Sequence, residues 1–210
     1  MVDYATLFQD RRWKRWVTRR IADGRARVVL DVGCGTLLLE EGLRGAPVSF
    51  VGVDLSREMA SLGRAKRLDN VELVVNGDAE SLPFPDGCFD SVVSCYVAKY
   101  VRTTRFAHEL ARVTKVGGVA ALYDFARPRG PLAPIIDLYT QGGLGAAGLL
   151  LRLAGRRSAF TYSALPGIIR RSTWDGEIAS AMEGGGFHTV AAERLTGGTV
   201  FAYCGVRGSS

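Results

Sequence analysis

The chain reads as an α/β protein: a seven-stranded, mostly parallel sheet with helices on both faces and an antiparallel hairpin at its C-terminal end. Three observations predict this. Short apolar runs rich in β-branched residues alternate with helix-length segments through the first 125 residues, the βαβ spacing of a parallel sheet. A glycine turn interrupts "VVLDVGCGTLLLEEGL" (28–43) directly after its first run. Two late runs, 187–195 and 199–206, are separated only by "TGG" and its flanks, too short a connection for anything but antiparallel neighbours.

Each element has a local reason. The first 22 residues read as a basic helix, with Leu7, Trp13, Trp16 and Val17 near one stripe and arginines around it. "RVVLDV" (27–32) is a buried strand, and a helix follows over 36–44. "VSFVGVD" (48–54) is the second strand. Ser56 has the chemistry of an N-cap for a helix reaching Arg67. "VELVV" (71–75) and "FDSVVSC" (89–95) are the third and fourth strands. A helix spans 103–115, and "GGVAALYDF" (117–125) is the fifth strand. Residues 128–160, rich in Pro, Gly and Leu, read as an insertion with one or two apolar helices; "STWDGE" then opens a helix over 173–184.

Bulk composition narrows the class. Apolar residues make up 47% of the 210 and charged residues 23%, which excludes a disordered or collagen-like chain and allows one domain, 1–210, with a sizeable core. The net charge of +6 is concentrated in "RRWKRWVTRR" (11–20), "GRR" (155–157) and "RR" (170–171). Such clusters suit nucleic acid or an anionic membrane surface, or are simply a solvated basic face. The four cysteines show no metal-type spacing, and no secretory signal is readable. A reduced, cytoplasmic protein is expected. The longest apolar stretch, "LGAAGLLL" (144–151), is too short to span a bilayer.

Open α/β sheets bind ligands beyond the carboxyl ends of their strands. Gly33 and Gly35 supply the first two positions of a G-x-G-x-x-G phosphate loop, but the third is Leu38. Asp31, at the end of the first strand, would repel a pyrophosphate and attract an ammonium group. S-adenosylmethionine satisfies both constraints, with an ammonium at its amino acid end and a sulfonium at its centre. Asp54 ends the second strand, where an acid accepts from both ribose hydroxyls. Asp78 follows the third, placed to accept from an adenine amino group, with the Ala79 backbone at the ring edge. Any one of these acids alone reads as a turn or helix cap. Three at successive strand ends point to a nucleoside site.

"LDVGCGT", "GVDLSREM", "NGDAESLPFPDGCFD" and "ELARVTKVGG" resemble the successive motifs of class I S-adenosylmethionine-dependent methyltransferases, across 28–125. "DRRWKRWVTRR", "YDFARPRGPLAPIIDLY", "YSALPGIIRR", "GGGF" and "LTGGTVFAYCGVR" are similar to segments of the menaquinone and ubiquinone biosynthesis C-methyltransferases. The resemblance implies a Rossmann-like fold and cofactor contacts at Thr36, Asp54, Asp78, Ala79 and Cys95, with Asp31, Gly33, Gly35, Leu55 and Met59 from the same motifs. Three positions depart from the family pattern. Leu37 stands where a glycine follows "CGT", Lys99-Tyr100 replaces an Arg-Asn pair, and Val116 replaces a proline.

Methyl transfer from a sulfonium is an in-line displacement, in which a protein aligns the nucleophile and removes its proton. The resemblance implies a lipophilic acceptor, most directly ring C-methylation of a demethylmenaquinol-type quinol. Asp124, ending the fifth strand, is the candidate base; Lys99 is placed to stabilise a phenolate; Tyr96 and Tyr100 to position the ring. The plain alternatives are a loop cap for Asp124, a solvated Lys99 and core tyrosines. His108 and His188 read as structural or surface residues, and no metal constellation is visible. The insertion, with Asp137, Gln141, Arg152, Arg156 and Arg157, roofs an apolar pocket, lies against a bilayer surface, or packs as a core-facing helical pair. Competing activities are O- or N-methylation of another small molecule or lipid, cofactor binding without catalysis, and, least favoured, RNA binding or modification.

Overall fold

The computed structural model describes residues 9–21, 26–131, 133–135, 137–138, 142 and 159–209, with side chains of 159–163 excepted. Leu7, Gln141, Arg152, Arg156, Arg157 and the apolar run 144–151 therefore lie outside the described residues.

Seven strands form one sheet: β1 (Val28–Val32), β2 (Ser49–Asp54), β3 (Val71–Asn76), β4 (Phe89–Cys95), β5 (Thr114–Phe125), β6 (Phe187–Leu195) and β7 (Val200–Arg207). Their order is β3-β2-β1-β4-β5-β7-β6. β1 to β5 pair in parallel, and β7 runs antiparallel between β5 and β6. The strand order reverses at β1, where β2 lies on one side and β4 on the other, so the crevice of the fold opens at its carboxyl end. The hairpin turn Thr196–Gly198 takes positive φ at all three residues, including two glycines.

The helices are α1 (Asp10–Ile21), α2 (Leu38–Glu41), α3 (Arg57–Ala65), α4 (Thr103–Val113), α5 (Ala159–Arg171) and α6 (Trp174–Gly184). Strand alternation sorts the core into two faces. Leu30, Val32, Val92 and Leu122 join α4 and α6 through Phe106, Leu110, Ile178 and Met182. Val29, Phe50, Val93 and Ala121 meet α1 through Trp13, Val17 and Ile21. The predicted α1 stripe is present at Trp13 and Val17, while Trp16 is only half-buried and hydrogen-bonds Glu193 at 2.5 Å. Among the described residues, no helix is long and apolar enough to cross a membrane.

Two helix predictions need correction. The helix expected over 103–115 ends at Val113, because Thr114 turns extended with its hydroxyl donating to the Leu110 carbonyl at 2.6 Å. The helix expected over 36–44 shrinks to the single turn Leu38–Glu41. Its preceding residue, Leu37, adopts φ 60° and ψ 44°, the left-handed region. Helix α5, with Pro166 inside it, was not foreseen as a separate element.

Leu37 also shows why a bulky residue tolerates that backbone. The side chain is 1% exposed and plugs a small cluster of Cys34, Ala60, Leu68 and Val74. A left-handed L-residue costs about 1–2 kcal/mol, and full burial of a leucine contributes about 1.5–3 kcal/mol. Burial wins narrowly. Gly63 on α3 completes the fit: a Cβ there would sit 3.0 Å from Leu37 Cγ and 3.2 Å from the Gly35 carbonyl oxygen. Leu37→Ala loses the packing and keeps the backbone strain, whereas Leu37→Gly loses the packing and relieves it. Urea unfolding is therefore expected to find both variants destabilised, alanine by about 2–5 kcal/mol, with glycine the less affected. Glycine ranking below alanine there, as at an ordinary helix position, would contradict this account.

Candidate active site

The crevice begins with the loop after β1. The Gly33 and Cys34 amides donate to the Val53 carbonyl at 2.7 and 3.1 Å, pulling the loop onto the end of β2. Gly33 is required there twice over: φ is 80°, and a Cβ would meet Val97 Cγ2 at 2.1 Å. Gly35, at φ 54°, has open space where its Cβ would be. Its amide donates to Asp54 Oδ2 at 2.8 Å, and the Ser56 amide donates to Oδ1 at 2.8 Å. Ser56 then caps α3 through the Met59 amide at 3.3 Å, the cap expected from the sequence.

The three acids expected at successive strand ends are brought to one edge. Asp31 is 3% exposed, and its Oδ1 has no hydrogen-bond partner among the described residues. Burial pushes its carboxyl well above the ordinary range, helped by Glu40 and Asp54 nearby. Asp54 is half-buried, and Asp78 caps its own turn by accepting from the Glu80 amide at 2.9 Å. Asp54 and Asp78 thus serve as caps while each keeps lone pairs for a ligand. Ala79 packs against the core, and Leu55 and Met59 stand exposed beside Asp54 on the α3 side. Thr36 is half-buried on the loop. Cys95 ends β4 half-buried, its thiol pushed up by burial and then by Asp31.

These features fit S-adenosylmethionine. A buried, unpartnered carboxylate oxygen suits an ammonium group. The open face of Gly35 admits a ligand against the backbone. Asp54 has spare acceptor capacity at the distance of one strand from Asp31. A pyrophosphate would instead meet an edge lined by Asp31, Glu40 and Asp54, which disfavours an anion there.

On the other face of the sheet, the candidate acceptor residues form one unit. Lys99 lies on a 3₁₀ turn, Ala98–Tyr100, after β4. Its Nζ donates to Asp124 Oδ1 at 2.7 Å and to the Tyr96 carbonyl at 2.6 Å. Its backbone amide donates to Asp124 Oδ2 at 3.0 Å, and the Phe125 amide to Oδ1 at 2.6 Å. Both side chains are buried, at 2% and 0% exposure. Burial pushes the Asp124 carboxyl up and the Lys99 ammonium down, with the partner's charge opposing each shift. Lys99 Nζ lies 4.3 Å from the centre of the Tyr100 ring, which is half exposed. A cleft of about 340 Å³ opens there, lined by Lys99, Tyr100, Arg102, Thr173 and Trp174.

Sequence reading missed several residues that the fold places around these candidates. Asp10 on α1 accepts from the Tyr96 hydroxyl at 2.5 Å and the Tyr123 hydroxyl at 3.1 Å, and pairs with Lys14 at 2.7 Å. Tyr96 itself is held at φ 69° by this bond, by its amide to the Tyr123 carbonyl, and by Lys99. Trp174 fixes α6 to the end of β5 through Nε1 and the Phe125 carbonyl, 2.8 Å. Glu40 is fully buried beside Asp31. Its signal was available: of two consecutive acids in "LLLEEGL", a helical turn puts one on the inner face.

Comparison with known proteins places the chain in a family. A methyltransferase-domain family matches residues 30–122. The ubiquinone/menaquinone biosynthesis C-methyltransferase of Geotalea uraniireducens is 31% identical over 205 residues, covering 93% of this chain and 85% of that protein. The demethylmenaquinone methyltransferase of Streptomyces avermitilis is 32% identical over 207 residues, covering 98% and 87%. Among solved structures, a SAM-dependent methyltransferase from Aquifex aeolicus superposes with a TM-score of 0.58 at 18% identity, over 93% of this chain and 96% of that one. The chain is an S-adenosylmethionine-dependent methyltransferase and belongs to the ubiquinone/menaquinone biosynthesis C-methyltransferase family.

Proposed function

We propose that this enzyme methylates a ring carbon of a demethylmenaquinol-type quinol. The observation that carries the reading is the buried Lys99–Asp124 pair opening on a cleft beside Tyr100. The names of the relatives, which act in menaquinone and ubiquinone biosynthesis, support the acceptor class. S-adenosylmethionine supplies the activated methyl group and its neutral leaving group.

The chain's own residues then have three tasks. The Asp31 carboxylate receives the cofactor's ammonium, and Asp54 and Asp78 hold ribose and adenine, with Gly33, Gly35, Thr36, Leu55, Met59, Ala79 and Cys95 forming the surrounding wall. Lys99, in its amine form, accepts the proton of the quinol hydroxyl and stays as an ammonium over the phenolate oxygen. A phenol titrates near 10 by analogy with tyrosine, so the anion needs this partner to form near neutral pH. Its charge delocalises onto ring carbon, which is the nucleophile. Asp124 holds Lys99 in place through both carboxylate oxygens, and acts as a base only through it. The Tyr100 ring supports the acceptor's plane. An isoprenoid quinol resides in the bilayer, so contact with a membrane surface belongs to the same proposal, and co-sedimentation with anionic vesicles tests it.

The direct test is incubation with labelled cofactor and a panel of acceptors. Demethylmenaquinol is expected to gain one methyl mass on the ring, while simple phenols, phospholipids and RNA gain none; methylation of those in its place would refute the quinol reading. Lys99→Met is expected to lower kcat by about 10²–10⁴-fold, with calorimetric affinity for S-adenosylhomocysteine unchanged. Equal loss of cofactor affinity would place Lys99 outside the acceptor half. Because the amine form is the active one, kcat is expected to rise with pH and level off as Lys99 deprotonates. Lys99→Arg, whose guanidinium does not titrate in that range, is expected to remove the rising limb.

A further inference from the structure

Glu40 sits where nothing in the acceptor chemistry calls for an acid. It is fully buried in α2, and neither carboxylate oxygen receives a hydrogen bond from a donor among the described residues. The Asn70 amide group binds its backbone carbonyl instead, at 2.9 Å. The side chain lies within hydrogen-bonding reach of Asp31, which is itself buried with Oδ1 unpartnered. Two carboxylates make no hydrogen bond. One proton between them makes a good one, and removes a like-charge repulsion in a dry site.

We propose that Glu40 is a positioning residue for the cofactor: it shares one proton with Asp31, and Asp31 loses that proton to solvent when it receives the cofactor's ammonium group. The carboxyl O–H bond breaks, the proton leaves as hydronium, and Asp31 faces the ammonium as a carboxylate with the Glu40 carboxylate behind it. No electrons change hands. The inference rests on the cofactor reading of the loop and is independent of the acceptor.

The surrounding charges are consistent with a pair that keeps one proton until a cation arrives. Lys14 on α1 draws both carboxyls downward, and Lys66 after α3 acts on Glu40, but Lys14 is already paired with Asp10 and Lys66 with Glu41. Asp54 on β2 pushes Asp31 up. The thiols of Cys34 and Cys95 face Asp31 from the loop and from β4, and burial together with the acids holds both protonated. Burial dominates for both carboxyls and raises them. Their protonated form is thus favoured by folding, so the stability they contribute is present below the unfolded carboxyl range and is lost as pH rises through the pair's titration.

Titration calorimetry of S-adenosylhomocysteine into the full chain, at pH 7 in phosphate and in Tris, reads the protons exchanged. The wild type is expected to release about one proton, and Glu40→Gln less than half as many. 5′-Methylthioadenosine, which keeps the nucleoside and lacks the ammonium, is expected to release none with either protein. Across pH, wild-type affinity for S-adenosylhomocysteine is expected to rise toward tenfold per unit through the pair's titration. Glu40→Gln is expected to be flatter, tighter than wild type at the acid end and weaker at the alkaline end. Glu40→Met, which keeps the volume, is expected to behave alike. Equal proton release in wild type and variants, or a loss of affinity uniform across pH, overturns the proposal and leaves Glu40 a packing residue. Failure of the wild type to bind S-adenosylhomocysteine overturns the cofactor reading beneath it.

Discussion

The site depends on a pair of hydrogen bonds that are not part of the sheet ladder: Gly33 and Cys34 amides donating to the Val53 carbonyl. They fold the loop after β1 sideways onto the end of β2. That single displacement brings the Gly35 amide onto Asp54, drives Leu37 into the left-handed region, and shortens α2 to one turn. The short turn then points Glu40 inward at Asp31. Packing of Leu37 against Gly63 offsets the backbone strain and ties the loop to α3. Preorganisation of this kind lowers the ordering cost of binding a flexible nucleoside.

Strand alternation divides the chemistry between the two faces of the sheet. Asp31 follows Val29 toward α1, and Asp124 follows Leu122 toward α4 and α6. The β1 and β4 ends lie side by side, so the two half-sites meet at the carboxyl edge while drawing on different helices. Asp10 belongs to the α1 face: it binds Tyr96 and Tyr123, which pack in the core on that side, and Lys14 one turn along its own helix. The N-terminal basic helix is accordingly tied into the fold, with Arg20 stacked on Trp16 and paired with Glu193.

Much of this was legible in the sequence, for identifiable reasons. β4 and β6 match their expected bounds to the residue, because turn chemistry brackets each run. The strand-end acids were legible because a parallel sheet delivers every strand's carboxyl end to one edge. The Ser56 cap was legible because its chemistry is local. Leu37 as a helix starter was not, since the left-handed turn is imposed by contacts with β2 and α3. α5 was hidden by "LPG", which reads as a breaker; Pro166 is tolerated inside that helix. Lys99 and Asp124 were each placed at the right edge, but their pairing, 25 positions apart, follows from the β4–β5 register and the turn between. Asp10 had no reading of its own in the sequence, because its partners, the Tyr96 and Tyr123 hydroxyls, lie 86 and 113 positions away.

The two buried charge pairs solve the same desolvation problem in opposite ways. Lys99 and Asp124 carry opposite charges and satisfy each other, with two backbone amides completing the acid, so that half of the site is finished before any ligand arrives. Asp31 and Glu40 are two acids that would repel if both ionised, and the pair is incomplete by construction: in the proposed scheme a shared proton holds them together, and a cation does so better. A self-satisfied pair suits a reaction partner that must be bound, altered and released as a neutral lipid. An unsatisfied pair suits a ligand that brings a permanent positive charge of its own. The proposed ligands match this division: a neutral acceptor at the half that balances its own charge, and a cationic cofactor at the half that does not.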